Sequence, residues 1–160
     1  MTISVGDRIP DVTLVKATEN GPEQVQSGEY FKGRKVALFS VPGAFTPTCS
    51  EKHLPGFVEH FEDFRERGVD VACVSVNDPF VMQAWAESQH VPEGLMMLAD
   101  GNGDFTRALG LEMDASGYGM GRRSKRFALY AEDGVVKQLH VEAPGEYRVS
   151  SAEHVLAELG

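Results

Sequence analysis

Val36-Ala-Leu-Phe-Ser-Val41, followed directly by Pro42-Gly-Ala-Phe-Thr46-Pro-Thr-Cys49, is the stretch on which the reading of this chain turns. The first half is almost wholly apolar, as in a strand covered on both faces. A proline and a glycine stop it. The second half starts a helix. Thr46 is placed to be the N-cap with Pro47 at the first helical position, or Thr48 and Glu51 form a capping box. Either register leaves Cys49 in the first turn, where unpaired N–H groups and a partial positive charge favour a thiolate over a thiol. A reactive sulfur thus stands at the C-terminal end of a strand, where α/β folds place their chemistry.

The elements on either side extend this pattern. Asp11-Val-Thr-Leu-Val15 alternates as a strand does, and residues 19–34 read as loop with a short strand or turn. After Cys49, Pro55 removes a backbone N–H and is expected to kink or restart the helix. Phe57, Val58, Phe61 and Phe64 then recur at helical spacing as a core-facing stripe, and Gly68 ends the element. Residues 69–76 form the next strand, Asn77-Asp78-Pro79 starts a helix running to about Ser88, and Leu95 to Ala99 reads as a strand. A short helix is expected near Phe105 to Leu109, and a long glycine-bearing loop at 113–125. Two strands, 127–131 and 135–141, flank the turn Glu132-Asp133-Gly134, and Ser150-Ser-Ala-Glu153 opens a last helix with a capping box. Parallel strands with an antiparallel pair, helices on both faces and one domain over residues 1–160 make an α/β chain with a mixed central sheet: the thioredoxin fold.

Composition narrows the function. The 160 residues suit one core. The net charge of −9, without a basic block, argues against nucleic-acid binding. No apolar run approaches the roughly 20 residues of a membrane span. The N-terminus lacks the basic and apolar parts of a secretion signal, and two cysteines are no disulfide scaffold, so a reducing cytoplasm is expected.

The motif Pro42-x-x-x-Thr46-x-x-Cys49 resembles the active-site motif of the peroxiredoxins, thiol peroxidases on a thioredoxin fold. Its wider setting, through His53, Pro55, Gly56 and Phe57, is similar to the type II group, the branch that includes peroxiredoxin five. Val74-Ser-Val-Asn77-Asp78, Lys125-Arg126-Phe127, Asp133-Gly134-Val-Val-Lys137, Val141-Glu142 and Ser150-Ser-Ala-Glu153 extend the likeness over essentially the whole chain.

The chemistry agrees with the likeness. Breaking an O–O bond needs an ionised sulfur, donors that polarise the peroxide and shielding from other thiols. Cys49 supplies the sulfur. The Thr46 hydroxyl, three residues upstream, reaches the sulfur or a bound peroxide oxygen, and Pro42 presents a rigid wall with no N–H. A cation stabilises charge on the oxygens; the resemblance assigns that part to Arg126 rather than Arg122 or Arg123. His53 lies one turn past Cys49, but two ligands make a poor zinc site, and it is read as structural. Oxidation leaves Cys49 a sulfenic acid, which a second thiol must resolve. Cys73 lies mid-strand and is read as buried. The C-terminal segment, where some relatives carry a resolving cysteine, has Glu146-Tyr-Arg-Val-Ser-Ser. The resemblance then implies hydrogen peroxide or a small alkyl hydroperoxide as substrate and an external thiol as reductant: glutathione with glutaredoxin, with thioredoxin as second choice. It implies no haem, flavin or metal, and a homodimer built through loops near the site. Two other readings are a thiol–disulfide oxidoreductase, against which Thr46 stands where a Cys-x-x-Cys pair has its first cysteine, and a redox-sensing module.

Overall fold

The computed structural model describes residues 2–159; Met1 and Gly160, the ends of the expected domain, lie outside them. The stretch quoted above becomes β3 (Lys35–Val41) and the turn and helix after it. Alternate β3 side chains enter opposite cores: Ala37, Phe39 and Val41 face one, Val36 and Leu38 the other. This explains the nearly unbroken apolar run. β4 (Asp70–Ser75) and β5 (Met96–Ala99) follow in parallel, with Phe39 paired to Cys73 and Cys73 to Met97. An antiparallel hairpin closes each edge. β1 (Thr13–Lys16) and β2 (Glu23–Gln26) lie beyond β5, while β8 (Phe127–Glu132) and β9 (Val135–Val141) lie beyond β3. The order is β2-β1-β5-β4-β3-β8-β9, the mixed sheet of a thioredoxin fold. Asp133 and Gly134 turn the last hairpin with φ of 50° and 78°, the left-handed pair that matches strand twist.

Helices cover both faces. On one lie α2 (Leu54–Glu59), α3 (Phe61–Glu66), α4 (Pro79–Ser88) and α6 (Ala152–Leu159); on the other α1 (Ser27–Phe31) and α5 (Asp104–Leu109). The phenylalanine stripe is core: Phe57 stacks on Phe39 with centroids 4.1 Å apart and on Phe64 at 5.6 Å. Asp78 caps α4 by accepting the Val81 N–H at 2.8 Å, with Pro79 first in the helix. Among the described residues no helix is long and apolar enough to cross a membrane.

Three local expectations are corrected. Residues 19–34 hold β2 and also the helix α1, which is fixed from a distance: the Val12 N–H donates to Ser27 Oγ, and the Gly28 N–H to Asp11. The segment read as a long loop at 113–125 contains a small hairpin, β6 (Glu112–Asp114) on β7 (Arg122–Ser124), in which Asp114 sits opposite Arg122. Its three cross-strand pairs, Glu112 with Ser124, Met113 with Arg123 and Asp114 with Arg122, show no apolar alternation. The last helix begins one residue late. Ser151 Oγ accepts the His154 N–H, and Glu153 lies beside His60 instead of closing a capping box on Ser150.

The Phe39–Phe57–Phe64 stack lies under the segment that carries Cys49. Phe57→Ala is expected to lower stability by about 3–5 kcal/mol, read as a lower urea midpoint with unchanged slope.

Candidate active site

The Pro42–Thr46 turn is tied down on both sides. The Ala44 N–H donates to Asn77 Oδ1 at 2.9 Å, and Thr46 Oγ1 donates to the Gly43 carbonyl at 2.6 Å. A Cβ on Gly43 would lie 2.9 Å from Met120 Cε and 3.3 Å from Thr46 Cγ2, so a larger residue here would push the Met120 methyl aside. Phe45 carries a φ of 65°, a strained value for an aromatic residue. Thr46 occupies the N-cap position before helical Pro47, and its carbonyl accepts the Ser50 N–H. Its hydroxyl turns away to Gly43, and Thr48 forms no side-chain cap either, so the expected capping box is absent. With its proton given to Gly43, Thr46 Oγ1 keeps lone pairs to accept a hydrogen bond.

Cys49 opens a π-helical turn, Cys49–His53, closed by the Leu54 N–H on the Cys49 carbonyl. Pro55 accounts for it: without an N–H it makes no bond to Glu51, and the helix widens by a residue before continuing as α2. Cys49 and His53 are both fully buried, at 0% exposure. Arg126 meets them from the sheet. The pairing of Ser40 with Phe127 sets Arg126 opposite the end of β3. Its Nη2 donates to Cys49 Sγ at 3.1 Å and its Nη1 to His53 Nδ1 at 2.9 Å. His53 Nε2–H donates to the Ser150 carbonyl at 2.8 Å, which fixes the tautomer.

The other two arginines stand apart. Arg122 is exposed, and Arg123 holds the β6–β7 hairpin through Met120 and Val76 carbonyls. Of the residues singled out by sequence, Cys49 and Arg126 are in contact, while Thr46 and Pro42 lie half-buried in the turn before the sulfur. Among the described residues no group of three or more His, Cys, Asp or Glu is arranged to hold a metal ion.

The redoxin family model matches residues 4–156. The chloroplastic peroxiredoxin-2E-2 of Oryza sativa subsp. japonica is 52% identical over 99% of this chain and 73% of its own length. Peroxiredoxin-2B of Arabidopsis thaliana is 48% identical over 98% of both. This chain belongs to the type II peroxiredoxins. Among solved structures, reduced Prx3 of Vibrio vulnificus in complex with hydrogen peroxide superposes with a TM-score of 0.94 at 51% identity, covering 99% of this chain and 100% of that one. Peroxiredoxin 5 of Alvinella pompejana does so with 0.86 at 37%, over 98% and 97%. The peroxiredoxin fold and thiol peroxidase activity therefore apply to this chain.

In this peroxiredoxin, the structural reading of His53 is incomplete, because the ring holds the arginine that holds the sulfur. Burial pushes its imidazole from the ordinary 6.5 down to about 3, and the Arg126 guanidinium acts the same way; the Ser150 carbonyl and the Glu142 charge oppose them. His53 is therefore neutral near pH 7, as its acceptor role requires. The signal missing from the sequence is its partner, a backbone carbonyl 97 residues away.

This pKa makes a stability prediction. The unfolded chain protonates His53 below pH 6.5 and the folded chain only near pH 3, so acid favours unfolding across that window, at up to about 1.4 kcal/mol per pH unit. His53→Asn retains an acceptor for Arg126 but does not titrate. Urea unfolding of this variant at a series of pH values is expected to show a shallower dependence between pH 6.5 and 3 than that of the parent protein.

Proposed function

We propose that Cys49, Thr46, Pro42 and Arg126 carry the peroxidase reaction of this chain. The observation behind this reading is the guanidinium hydrogen bond to the Cys49 sulfur. A charged donor on sulfur is strongest when the sulfur is the thiolate. The thiolate attacks one oxygen of the hydroperoxide; an S–O bond forms, the O–O bond breaks, and the other oxygen leaves with the electron pair and takes a proton. The products are the Cys49 sulfenic acid and water or an alcohol. Arg126 offsets the charge that develops on the leaving oxygen. Thr46 Oγ1 accepts the peroxide O–H, and Pro42 walls the approach without competing donors.

The sulfenic acid is released by an external thiol in two steps. The first thiol forms a mixed disulfide and expels water; the second forms a new disulfide and frees the Cys49 thiol. Cys73 is a poor internal resolver. It lies in mid-strand, and burial pushes its thiol well up, with Cys49 acting the same way, so it stays protonated and weakly nucleophilic. We assign the reductant to glutathione with glutaredoxin, with thioredoxin as second choice, and the setting to the cytoplasm, whose reducing poise keeps Cys49 and Cys73 as free thiols.

A homodimer is part of the same proposal. Three large apolar side chains flank the Pro42–Thr46 turn: Phe45 is 54% exposed, Phe80 71% and Tyr118 88%. Asn77 ties the start of α4, which bears Phe80, to this turn, and Met120 brings the Tyr118 segment against Gly43. Such a cluster suits an interface around the site.

Rapid mixing of reduced protein with peroxide is expected to give a fast oxidation that Cys49→Ser abolishes and Arg126→Met slows about 100-fold; a fast phase surviving Cys49→Ser refutes the assignment. Turnover is expected to be faster with glutathione and glutaredoxin than with thioredoxin, and the reverse order moves the reductant to thioredoxin. Sedimentation is expected to show a dimer that Phe80→Glu weakens; a monomeric parent protein refutes the dimer alone.

A further inference from the structure

Glu142 follows directly on β9, and the pairing of Phe127 with Val141 puts it opposite Arg126. Its N–H donates to the Arg126 carbonyl at 3.0 Å. Its side chain points inward and is 6% exposed. Oε2 accepts the N–H groups of Arg148, Val149 and Ser150, each at 2.8 Å, and the Ser150 hydroxyl at 2.7 Å; Oε1 accepts the Arg148 N–H at 2.9 Å. Three successive backbone donors thus converge on one carboxylate just ahead of α6. A buried anion is costly, and here backbone dipoles and a hydroxyl offset that cost.

The clamp has a direction. By holding the N–H groups of residues 148–150 it fixes the peptide planes up to the Ser150 nitrogen, and by holding the Ser150 hydroxyl as well it anchors that residue, so that a single backbone torsion separates the clamp from the Ser150 carbonyl. That carbonyl accepts His53 Nε2–H, which leaves Nδ1 bare to accept Arg126 Nη1–H while Nη2 reaches the sulfur. Glu142 therefore grips Arg126 twice: at the backbone directly, and at the guanidinium through Ser150 and His53.

We propose that Glu142 is a positioning residue for peroxide reduction, its carboxylate setting the Arg126 guanidinium on the Cys49 sulfur by way of the Ser150 carbonyl and the His53 tautomer. It touches no reacting atom. The proposal rests on the peroxidase reading only in taking Cys49 oxidation as its kinetic readout.

The test is a double-mutant cycle on the second-order rate constant for peroxide oxidation, with histidine 15N NMR beside it. Glu142→Gln keeps the shape but loses the charge and turns an amide toward the donors. It is expected to slow oxidation about tenfold. In an Arg126→Met background the same change is expected to cost less than about twofold, because the guanidinium it acts through is gone. His53 is expected to be a pure Nε2–H tautomer in the parent protein and a mixture in Glu142→Gln. An unchanged rate, an equal loss in both backgrounds, or an unchanged tautomer overturns the proposal. Should Glu142→Gln fail to fold, Ser150→Ala removes a single hydroxyl from the clamp. It is expected to slow oxidation about threefold only where Arg126 is present, and an equal loss without Arg126 overturns the proposal. The NMR arm does not depend on turnover: a parent protein that leaves peroxide untouched defeats the peroxidase reading, whereas an unmoved tautomer defeats the clamp.

Discussion

A guanidinium nitrogen 3.1 Å from a buried sulfur is the contact on which this molecule is organised. A charge shut away from water is costly unless it is met at close range by its complement. Arginine and cysteine therefore have to arrive together, in one geometry. The fold meets this demand by putting them at adjacent strand ends. β3 delivers the turn that leads to Cys49, β8 begins directly after Arg126, and the two strands, both internal to the sheet, are hydrogen-bonded neighbours. The widened turn at Cys49–His53 then brings two side chains of one helix to the same guanidinium.

Around that contact, single polar side chains, Asp100 and Glu142 buried and Asn77 half-buried, hold the loops. Asn77 receives the Ala44 N–H and the Ser75 hydroxyl, stitching the turn before Cys49 to the end of β4. Asp100 receives the N–H groups of Phe105 and Thr106 and the Thr106 hydroxyl, fixing the start of α5. Glu142 fixes the segment before α6. The two carboxylates titrate in opposite senses. Burial dominates at Asp100 and raises it despite its bonds to Thr106 and Phe105; at Glu142 burial also acts upward, but the bonds from Ser150, Arg148 and Val149 together outweigh it and lower it. Loops held in this way do not reorganise when charge moves.

The large elements and the sulfur were legible because their signals are local. A both-face apolar run, a proline at a helix start and an Asp-Pro cap each fix a few neighbouring residues. Arg126 was legible only through a resemblance; its spacing from Cys49 carries no information until β8 is known to lie beside β3. His53 and Glu142 were harder still, because their partners are mostly main-chain groups, the carbonyl for His53 lying 97 residues away, and a carbonyl or an N–H leaves no mark in a sequence. The same blindness explains α1, which is pinned by Asp11 and Ser27, and the Ser150 cap, where a plausible local bond lost to a buried carboxylate. The hairpin at 112–124 escaped because its cross-strand pairs are polar or mixed rather than apolar and its strands only three residues long.

The adjacency of β3 and β8 has a consequence for synthesis. Their pairing joins residues 87 to 97 positions apart, so it is among the late contacts a growing polypeptide can make. While the ribosome is still adding the intervening helices, Cys49 has already emerged and its arginine has not. A half-made chain therefore carries the sulfur without its guanidinium partner, and the two meet only once β8 has closed on β3.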